Sequence, residues 1–203
     1  MGKAISVRSI MTKRFKLLPF KDEWYDSFGR IELSGSMIIW GQSGSGKTSL
    51  SMQFAKYVSQ FSRVLYNSLE MGYSPTLQDA FARIGMDEVK RRLILVKEPL
   101  EELTQRLLVK KSPNVVIIDS FQYTGLTYKD YTVLKDDFPN KLFVYISHAN
   151  GKEPKGSAAQ SVRYDADIKV YCEGHKAFVS SRYGGGKPFI IWPEGANEYW
   201  KDF

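Results

Sequence analysis

The sequence contains few of the residues from which disulfide frameworks and zinc sites are built. Cys172 is the one cysteine among 203 residues, which excludes an internal disulfide framework and a zinc site of clustered cysteines. No apolar run approaches the ~18 residues of a membrane-spanning helix, and the N-terminus lacks the apolar segment of a secretory signal. We therefore expect a cytoplasmic protein with no membrane partner.

The composition is that of a folded, basic domain. The net charge is +7, and the 43% hydrophobic and 14% aromatic residues suffice for a substantial core. A basic balance favours nucleic acid as a partner, although many basic proteins bind none. Residues 1–21 contain six lysines or arginines and no acidic residue. We predict a basic arm at 1–21, either solvated or docked on a neighbour or on nucleic acid, and a single domain at 22–203; a transit peptide has a similar composition.

The most specific motif is a glycine-rich segment between a short apolar run and an amphipathic helix. Residues 41–48 fit G-x-x-x-x-G-K-[ST], the phosphate-binding P-loop. Its glycines let backbone N–H groups surround a phosphate chain at a helix N-terminus. Lys47 is expected to reach the β- and γ-phosphates of ATP, and Thr48 to offer its hydroxyl to Mg²⁺. The predicted nucleotide-binding residues are Gly41, Gln42, Ser43, Gly44, Ser45, Gly46, Lys47, Thr48 and Ser49.

Alternating apolar strands and helices predict a mainly parallel α/β sheet, flanked by helices, with an antiparallel C-terminal edge. Polar residues that follow its parallel strands would meet in one crevice. Asp119 ends one of these strands and is predicted to be a Mg²⁺ ligand; the alternative is that it caps a helix. Glu70 is the candidate for orienting water, with a solvated glutamate as the alternative. His148 either contacts the γ-phosphate or is structural.

Other residues are candidates for contacts with a second subunit or with DNA. Arg182 precedes three glycines and is either a surface arginine or an arginine finger that enters a neighbouring site. Polar and glycine-containing residues 148–163 predict a mobile loop, which is either plainly solvated or bound to nucleic acid. His175 is predicted to be a surface residue at a hairpin turn. The predicted nucleic-acid contacts are Lys152, Lys155 and Arg163 to phosphates, and Tyr128 to bases; the alternative for Tyr128 is that it packs within the domain.

Several of these segments together resemble the RecA-like ATPase superfamily, particularly its RadA and DnaB-helicase branches. The resemblance covers about residues 30–192. Asn67-Ser-Leu-Glu-Met71 is similar to the DnaB segment whose glutamate is catalytic, and Val115-Val-Ile-Ile-Asp-Ser120 to the Walker B strand. Ile146-Ser-His148 is similar to the RadA sensor, Asp165-Ala-Asp-Ile168 to the strand after the second DNA loop, and Ser181-Arg-Tyr-Gly184 to the hairpin with the trans-acting arginine.

The resemblance implies an ATP hydrolase that needs Mg²⁺ and forms a ring or filament on single-stranded DNA, for recombination, repair or replication. Lys47, Glu70, His148 and Arg182 would then be catalytic. Ser180 stands where the family has a basic residue, and no segment resembles a helicase amino-terminal domain or the RadA zinc finger. A nucleotide-dependent switch on a protein partner is therefore the alternative, and a small-molecule kinase ranks third. The chain also resembles small stand-alone ATPases of phages and mobile elements of gut bacteria.

Overall fold

The computed structural model describes residues 4–89 and 91–201. Its helices are α1 (Val7–Thr12), α2 (Asp22–Phe28), α3 (Lys47–Val58), α4 (Pro75–Ile84), α5 (Leu100–Leu108), α6 (Tyr128–Asp137), α7 (Ser157–Asp165) and α8 (Pro193–Tyr199). Its strands are β1 (Gly35–Gly41), β2 (Val64–Ser68), β3 (Leu93–Val96), β4 (Val115–Asp119), β5 (Leu142–Asn150), β6 (Glu153–Pro154), β7 (Ile168–Glu173), β8 (Lys176–Ser181) and β9 (Phe189–Ile190). Short 3₁₀ turns lie at Met86–Val89 and Phe121–Tyr123.

The strands form one sheet in the order β3-β2-β4-β5-β1-β7-β8-β9. The strands from β3 to β7 in that order are parallel, and β8 and β9 add antiparallel pairs at one edge. β6 folds back antiparallel on the end of β5. The prediction of a mainly parallel sheet with an antiparallel C-terminal edge is therefore confirmed.

Helices cover both faces of the sheet, which explains why the central strands are continuously apolar. Phe28 of α2, Phe54 of α3 and Leu77 of α4 belong to the apolar cluster on one face. Leu103 of α5 and Tyr131 of α6 belong to the cluster on the other. Among the described residues no helix is long and apolar enough to cross a membrane.

Part of the basic N-terminal segment packs into the core. Helix α1 is exposed along its whole length, whereas Leu18 and Phe20 are buried. The Phe20 ring packs edge-on against Trp24 of α2 and Phe54 of α3. These contacts attach the segment after α1 to the same side of the sheet as the P-loop helix.

The prediction of a mobile polar loop at 148–163 is wrong. Strand β5 continues to Asn150, the chain turns at Gly151 with φ +61°, and β6 pairs Pro154 with Ala149. Helix α7 then begins at Ser157. These elements could not be recognised from the sequence, because the residues that α7 buries, Ala159 and Val162, are too few and too small to give a clear apolar pattern.

Candidate active site

The parallel strands bring four of the predicted site segments to one edge of the sheet. Gly41, which ends β1 and begins the P-loop, is in register with His148 of β5. Asp119, the last residue of β4, is in register with Ser68 of β2, two positions before Glu70. The crevice at the carboxyl ends of the strands therefore contains the P-loop, Glu70, Asp119 and His148.

The P-loop has the backbone conformation that its glycines permit. Gly44 and Gly46 have φ of +76° and +98°, and a Cβ on Gly41 would lie 2.2 Å from the Cys172 carbonyl oxygen. The Lys47 Nζ donates to the Gln42 carbonyl, 2.7 Å away within the loop itself, and burial lowers its pKa. The Ser45 hydroxyl is buried with no partner in the described structure. A cation and an unsatisfied hydroxyl in such a loop fit a phosphate chain.

Asp119 is a buried carboxylate at the bottom of the crevice. It is 3% exposed, and Tyr66 Oη donates to its Oδ2 over 2.8 Å. Burial raises the pKa of Asp119 to about 6, against the lowering effect of that hydrogen bond. The described residues contain no group of three or more His, Cys, Asp or Glu arranged for a metal. One carboxylate and the Thr48 hydroxyl fit Mg²⁺, which characteristically takes few protein ligands together with phosphate and water.

Glu70 and His148 are joined by a hydrogen bond across the crevice. The His148 Nε2–H donates to Glu70 Oε2 over 2.9 Å. Partial burial alone would raise the pKa of Glu70, but this bond and the charges of His148 and Lys47 lower it. The Asp119 carbonyl fixes the backbone of Glu70 by accepting its N–H over 3.1 Å. Glu70 is thus an ionised carboxylate that is close enough to Lys47 for the two charges to interact.

Gln122 supports His148 and was missed in the sequence as a site residue. Its Oε1 accepts the His148 backbone N–H over 3.1 Å. Its Nε2 donates to Ser147 Oγ and to the Lys155 carbonyl. One amide therefore links the turn after β4, the end of β5 and the residue after β6.

A cavity of about 540 Å³ opens beside the P-loop. Its wall opposite Gly46 is made by His175, Ile191 and Trp192, and the His175 ring meets the Trp192 ring edge-on with centroids 4.9 Å apart. The prediction that His175 is a plain surface residue is therefore wrong. The sequence does not show the contact between His175 and Trp192. It forms because β9, which pairs over Phe189–Ile190, brings Trp192 to the turn that contains His175. A larger cavity of about 860 Å³, beside α5, contains none of the predicted site residues.

Arg182 lies at the opposite end of the sheet from the P-loop. Ser181 pairs with Ile168, and Ile168 pairs with Met37 near the start of β1. Gly41, which begins the P-loop, is at the other end of that strand. The Arg182 side chain is 65% exposed. The structure thus does not bring Arg182 together with the crevice of its own chain.

The predicted nucleic-acid residues differ in whether their side chains already contact other residues of the chain. Lys152 and Lys155 are exposed. Arg163 forms an ion pair with Glu153 over 2.5 Å and stacks on the Trp40 ring at 5.3 Å. Tyr128 is 41% exposed and stacks on Tyr131 with ring centroids 5.7 Å apart. Arg163 would have to exchange its partners to reach a phosphate.

No protein-family model matches the chain, and no curated protein matches it in sequence. Solved structures do share its fold. The flagellar accessory protein FlaH from Methanocaldococcus jannaschii superposes with a TM-score of 0.62 at 14% identity, over 88% of this chain and 96% of FlaH. A KaiC-like protein from Pyrococcus horikoshii gives 0.57 at 16% identity, over 79% of this chain and 87% of that protein. The chain has a RecA-like ATPase fold.

A third solved structure has a similar fold. The ATP synthase subunit NeqB from Nanoarcheaum equitans gives a TM-score of 0.58 at 10% identity, over 77% of this chain. The chain spans only 50% of NeqB. At these identities the comparison establishes the RecA-like fold, and the roles of individual residues depend on the geometry of this chain.

Proposed function

We propose that this chain is a cytoplasmic, Mg²⁺-dependent ATPase, and that its active site is shared between neighbouring copies assembled on DNA. The observation that carries the proposal is the crevice in which the P-loop, the buried Asp119 and the ionised Glu70 meet at the carboxyl ends of parallel strands. This is where open α/β sheets bind ligands. DNA recombination, repair or replication, in a phage or mobile element, is the setting that the family resemblance adds.

Each residue of the crevice would have its own role in phosphoryl transfer. The P-loop N–H groups and Lys47 would hold the phosphates, and Thr48 and Asp119 would hold Mg²⁺, which offsets negative charge on the phosphates. Glu70 would orient the attacking water and accept its proton at the carboxylate. His148 fixes that carboxylate through the 2.9 Å hydrogen bond. The base would enter the cavity beside Trp192, because this exposed indole offers a stacking surface.

The position of Arg182 supports a shared site. Since it lies at the far end of β1 from its own P-loop, only another copy could receive it beside ATP. A head-to-tail contact of this kind generates a ring or a filament. The net charge of +7 and the exposed Lys152 and Lys155 support single-stranded DNA as the surface on which copies assemble.

The test measures ATP hydrolysis without nucleic acid and with single-stranded DNA, duplex DNA or RNA, together with the mass in solution. We expect turnover that needs Mg²⁺, is stimulated most by single-stranded DNA and accompanies a multimer. The Lys47→Ala variant is the background control, since it removes the phosphate-binding cation. A monomer whose turnover ignores DNA would contradict assembly on DNA, and ATP binding that survives Lys47→Ala unchanged would contradict the site itself.

A nucleotide-dependent switch on a protein partner is the second candidate. The observation that favours it is that Arg163, a predicted DNA contact, is already occupied by Glu153 and Trp40. Ser180, exposed on β8, also supplies no second cation beside Arg182. Strong ATP binding with slow turnover and no DNA affinity at low salt would support the switch over the DNA-dependent ATPase.

A further inference from the structure

Arg182 is paired with an aspartate on the adjacent strand of its own chain. The backbone N–H of Arg182 donates to the Asp167 carbonyl over 3.1 Å, which continues the β7–β8 ladder by one residue. The side chains meet as well, because Arg182 Nη1 donates to Asp167 Oδ1 over 3.2 Å. The two residues are cross-strand neighbours, a position from which one side chain can restrict the rotamers of the other.

Asp167 is itself held firmly by the start of β1. Its carboxylate is 13% exposed, and its Oδ2 accepts the Ser36 N–H over 3.0 Å. Gly35 makes this approach possible, because a Cβ there would lie 2.3 Å from the same oxygen. Gly35 also has φ +84°, a conformation that other residues rarely adopt. One oxygen of Asp167 is therefore anchored in the sheet, and the other faces the arginine.

The ion pair orients the guanidinium but leaves most of its N–H donors available for another partner. An arginine has five N–H donors, and a single contact of Arg182 with Asp167 engages one of them. The side chain is still 65% exposed, so further donors face outward. An ion pair this exposed contributes little to stability, and its physical effect is to limit the directions in which the guanidinium points.

We propose that Asp167 is a positioning residue, which holds Arg182 in the orientation that reaches the ATP site of the neighbouring copy. The inference rests on the proposed shared active site and adds the residue that prepares the trans contact. Presenting the arginine in one orientation lowers the entropy lost when it meets the developing charge on the phosphates. Asp167 would act through Arg182 and not on the reacting atoms themselves.

The test is a double-mutant cycle on the full-length chain with Asp167→Asn, Arg182→Ala and both together. Asparagine still accepts the Ser36 N–H but no longer carries the charge that attracts the guanidinium. We expect Asp167→Asn to lower kcat about 10- to 100-fold, with KM for ATP and the mass of the multimer unchanged. In the Arg182→Ala background, measured in single turnover, the same change should have no further effect.

Asp26→Asn is the matched control. Asp26 pairs over 2.9 Å with Lys187, which lies between β8 and β9, so the variant makes the same chemical change in an ion pair that does not include Arg182. Its kcat should equal that of the wild type. Damage to the fold would persist in the Arg182→Ala background, whereas loss of positioning would not, which separates the two even if Asp167→Asn lowers stability.

Each other outcome contradicts a defined part of the proposal. If Arg182→Ala keeps its kcat, the shared active site is wrong, and the role of Asp167 with it. If Arg182→Ala lowers kcat and Asp167→Asn does not, only the positioning role is wrong. If Asp167→Asn lowers kcat by the same factor in both backgrounds, Asp167 acts independently of Arg182 and the inference fails.

Discussion

Glu70, which we propose orients the attacking water, is held in the crevice by two contacts. Its backbone is fixed by the Asp119 carbonyl and its side chain by His148. Two anchors from two different strands leave little freedom to the carboxylate, as a group that orients water requires. The lowered pKa of Glu70 keeps it ionised at neutral pH, because the hydrogen bond and charges from His148 and Lys47 outweigh its partial burial.

The first prediction concerns the charge of Glu70. Glu70→Gln keeps the size of the side chain and its hydrogen bond with His148, so ATP should bind as in the wild type. Turnover should fall by a factor of ~10² to 10⁴, the usual contribution of a general base. Nucleotide affinity and single-turnover hydrolysis measure the two effects separately. Retained turnover would remove Glu70 from its proposed role.

The second prediction follows from the buried carboxylate of Asp119. Its pKa of about 6 in the folded protein lies above the ordinary value of 3.8, so the folded state binds a proton more tightly than the unfolded state. This group therefore lowers stability progressively as pH rises from about 4 to 6, and the full penalty applies above pH 6. Asp119→Asn should raise the melting temperature of the nucleotide-free protein at pH 7, by roughly 2–4 °C for each 1 kcal/mol gained.

The pH profile of the same variant provides the control. Near pH 4 the melting temperatures of wild type and Asp119→Asn should converge, because the wild-type carboxyl is then neutral. Mg²⁺ binding should show the opposite dependence and weaken below about pH 6 in the wild type, since only the carboxylate binds the ion. A stability difference independent of pH would mean that burial of charge is not its cause.

At the scale of elements, helix α8 holds the wall of the cavity beside the P-loop. Gly195 lies under the Trp192 ring, and a Cβ on it would approach Trp192 Cε3 to 2.3 Å and His175 Cδ2 to 2.7 Å. Gln53 of α3 ties this wall to the P-loop helix by donating to the Ile191 carbonyl over 3.0 Å. The position of the indole therefore depends on a glycine within α8.

The third prediction is that Gly195→Ala displaces Trp192. We expect ATP to bind about 5- to 100-fold more weakly, the range that loss of one stacking contact produces. Affinity for inorganic tripolyphosphate should not change, since the P-loop is intact. Ala196→Gly, one position further along the same helix, is the control for helix stability. Equal losses for ATP and tripolyphosphate would show that the wall does not contact the base.

The elements that the sequence predicted well are those with strong local signals. Helix α4 begins at Pro75 because the Ser74 hydroxyl accepts the Leu77 N–H and proline fixes the first helical residue, and both residues are a start signal that can be read locally. Residues 115–118 of strand β4 are continuously apolar because both faces of the sheet are covered. The hairpin of β5 and β6 was not predicted, since its pairing depends on backbone contacts between residues with no apolar pattern.

The parts of the site that could be predicted are likewise those with a local signal in the sequence. Residues at the ends of parallel strands can be located from the strand pattern alone, which placed Glu70, Asp119 and His148 in one crevice. His175, Trp192 and Gln122 enter the site through contacts between distant segments. No local pattern marks them. Asp167 was noted only as part of a family segment, and its bond with Ser36 required the register of β1 and β7.

At the scale of the whole molecule, the proposed shared site gives the two ends of the sheet complementary roles. The carboxyl end presents the phosphate-binding loop and two acidic side chains, whereas the other end presents the exposed Arg182. Complementary surfaces at different places on one chain favour a head-to-tail assembly over a symmetric dimer, because a two-fold axis would pair like with like.

The fourth prediction uses this separation to test the shared site directly. Glu70→Gln and Arg182→Ala subunits should each be nearly inactive alone, although both retain the P-loop and bind ATP. Mixed in equal amounts with single-stranded DNA, roughly a quarter of the interfaces should join an intact Glu70 to an intact Arg182 from the neighbour. ATPase activity of the mixture should therefore exceed that of either variant by far. Since a site contained in one subunit cannot be repaired by its neighbour, a mixture no more active than its parts would place Arg182 outside the active site.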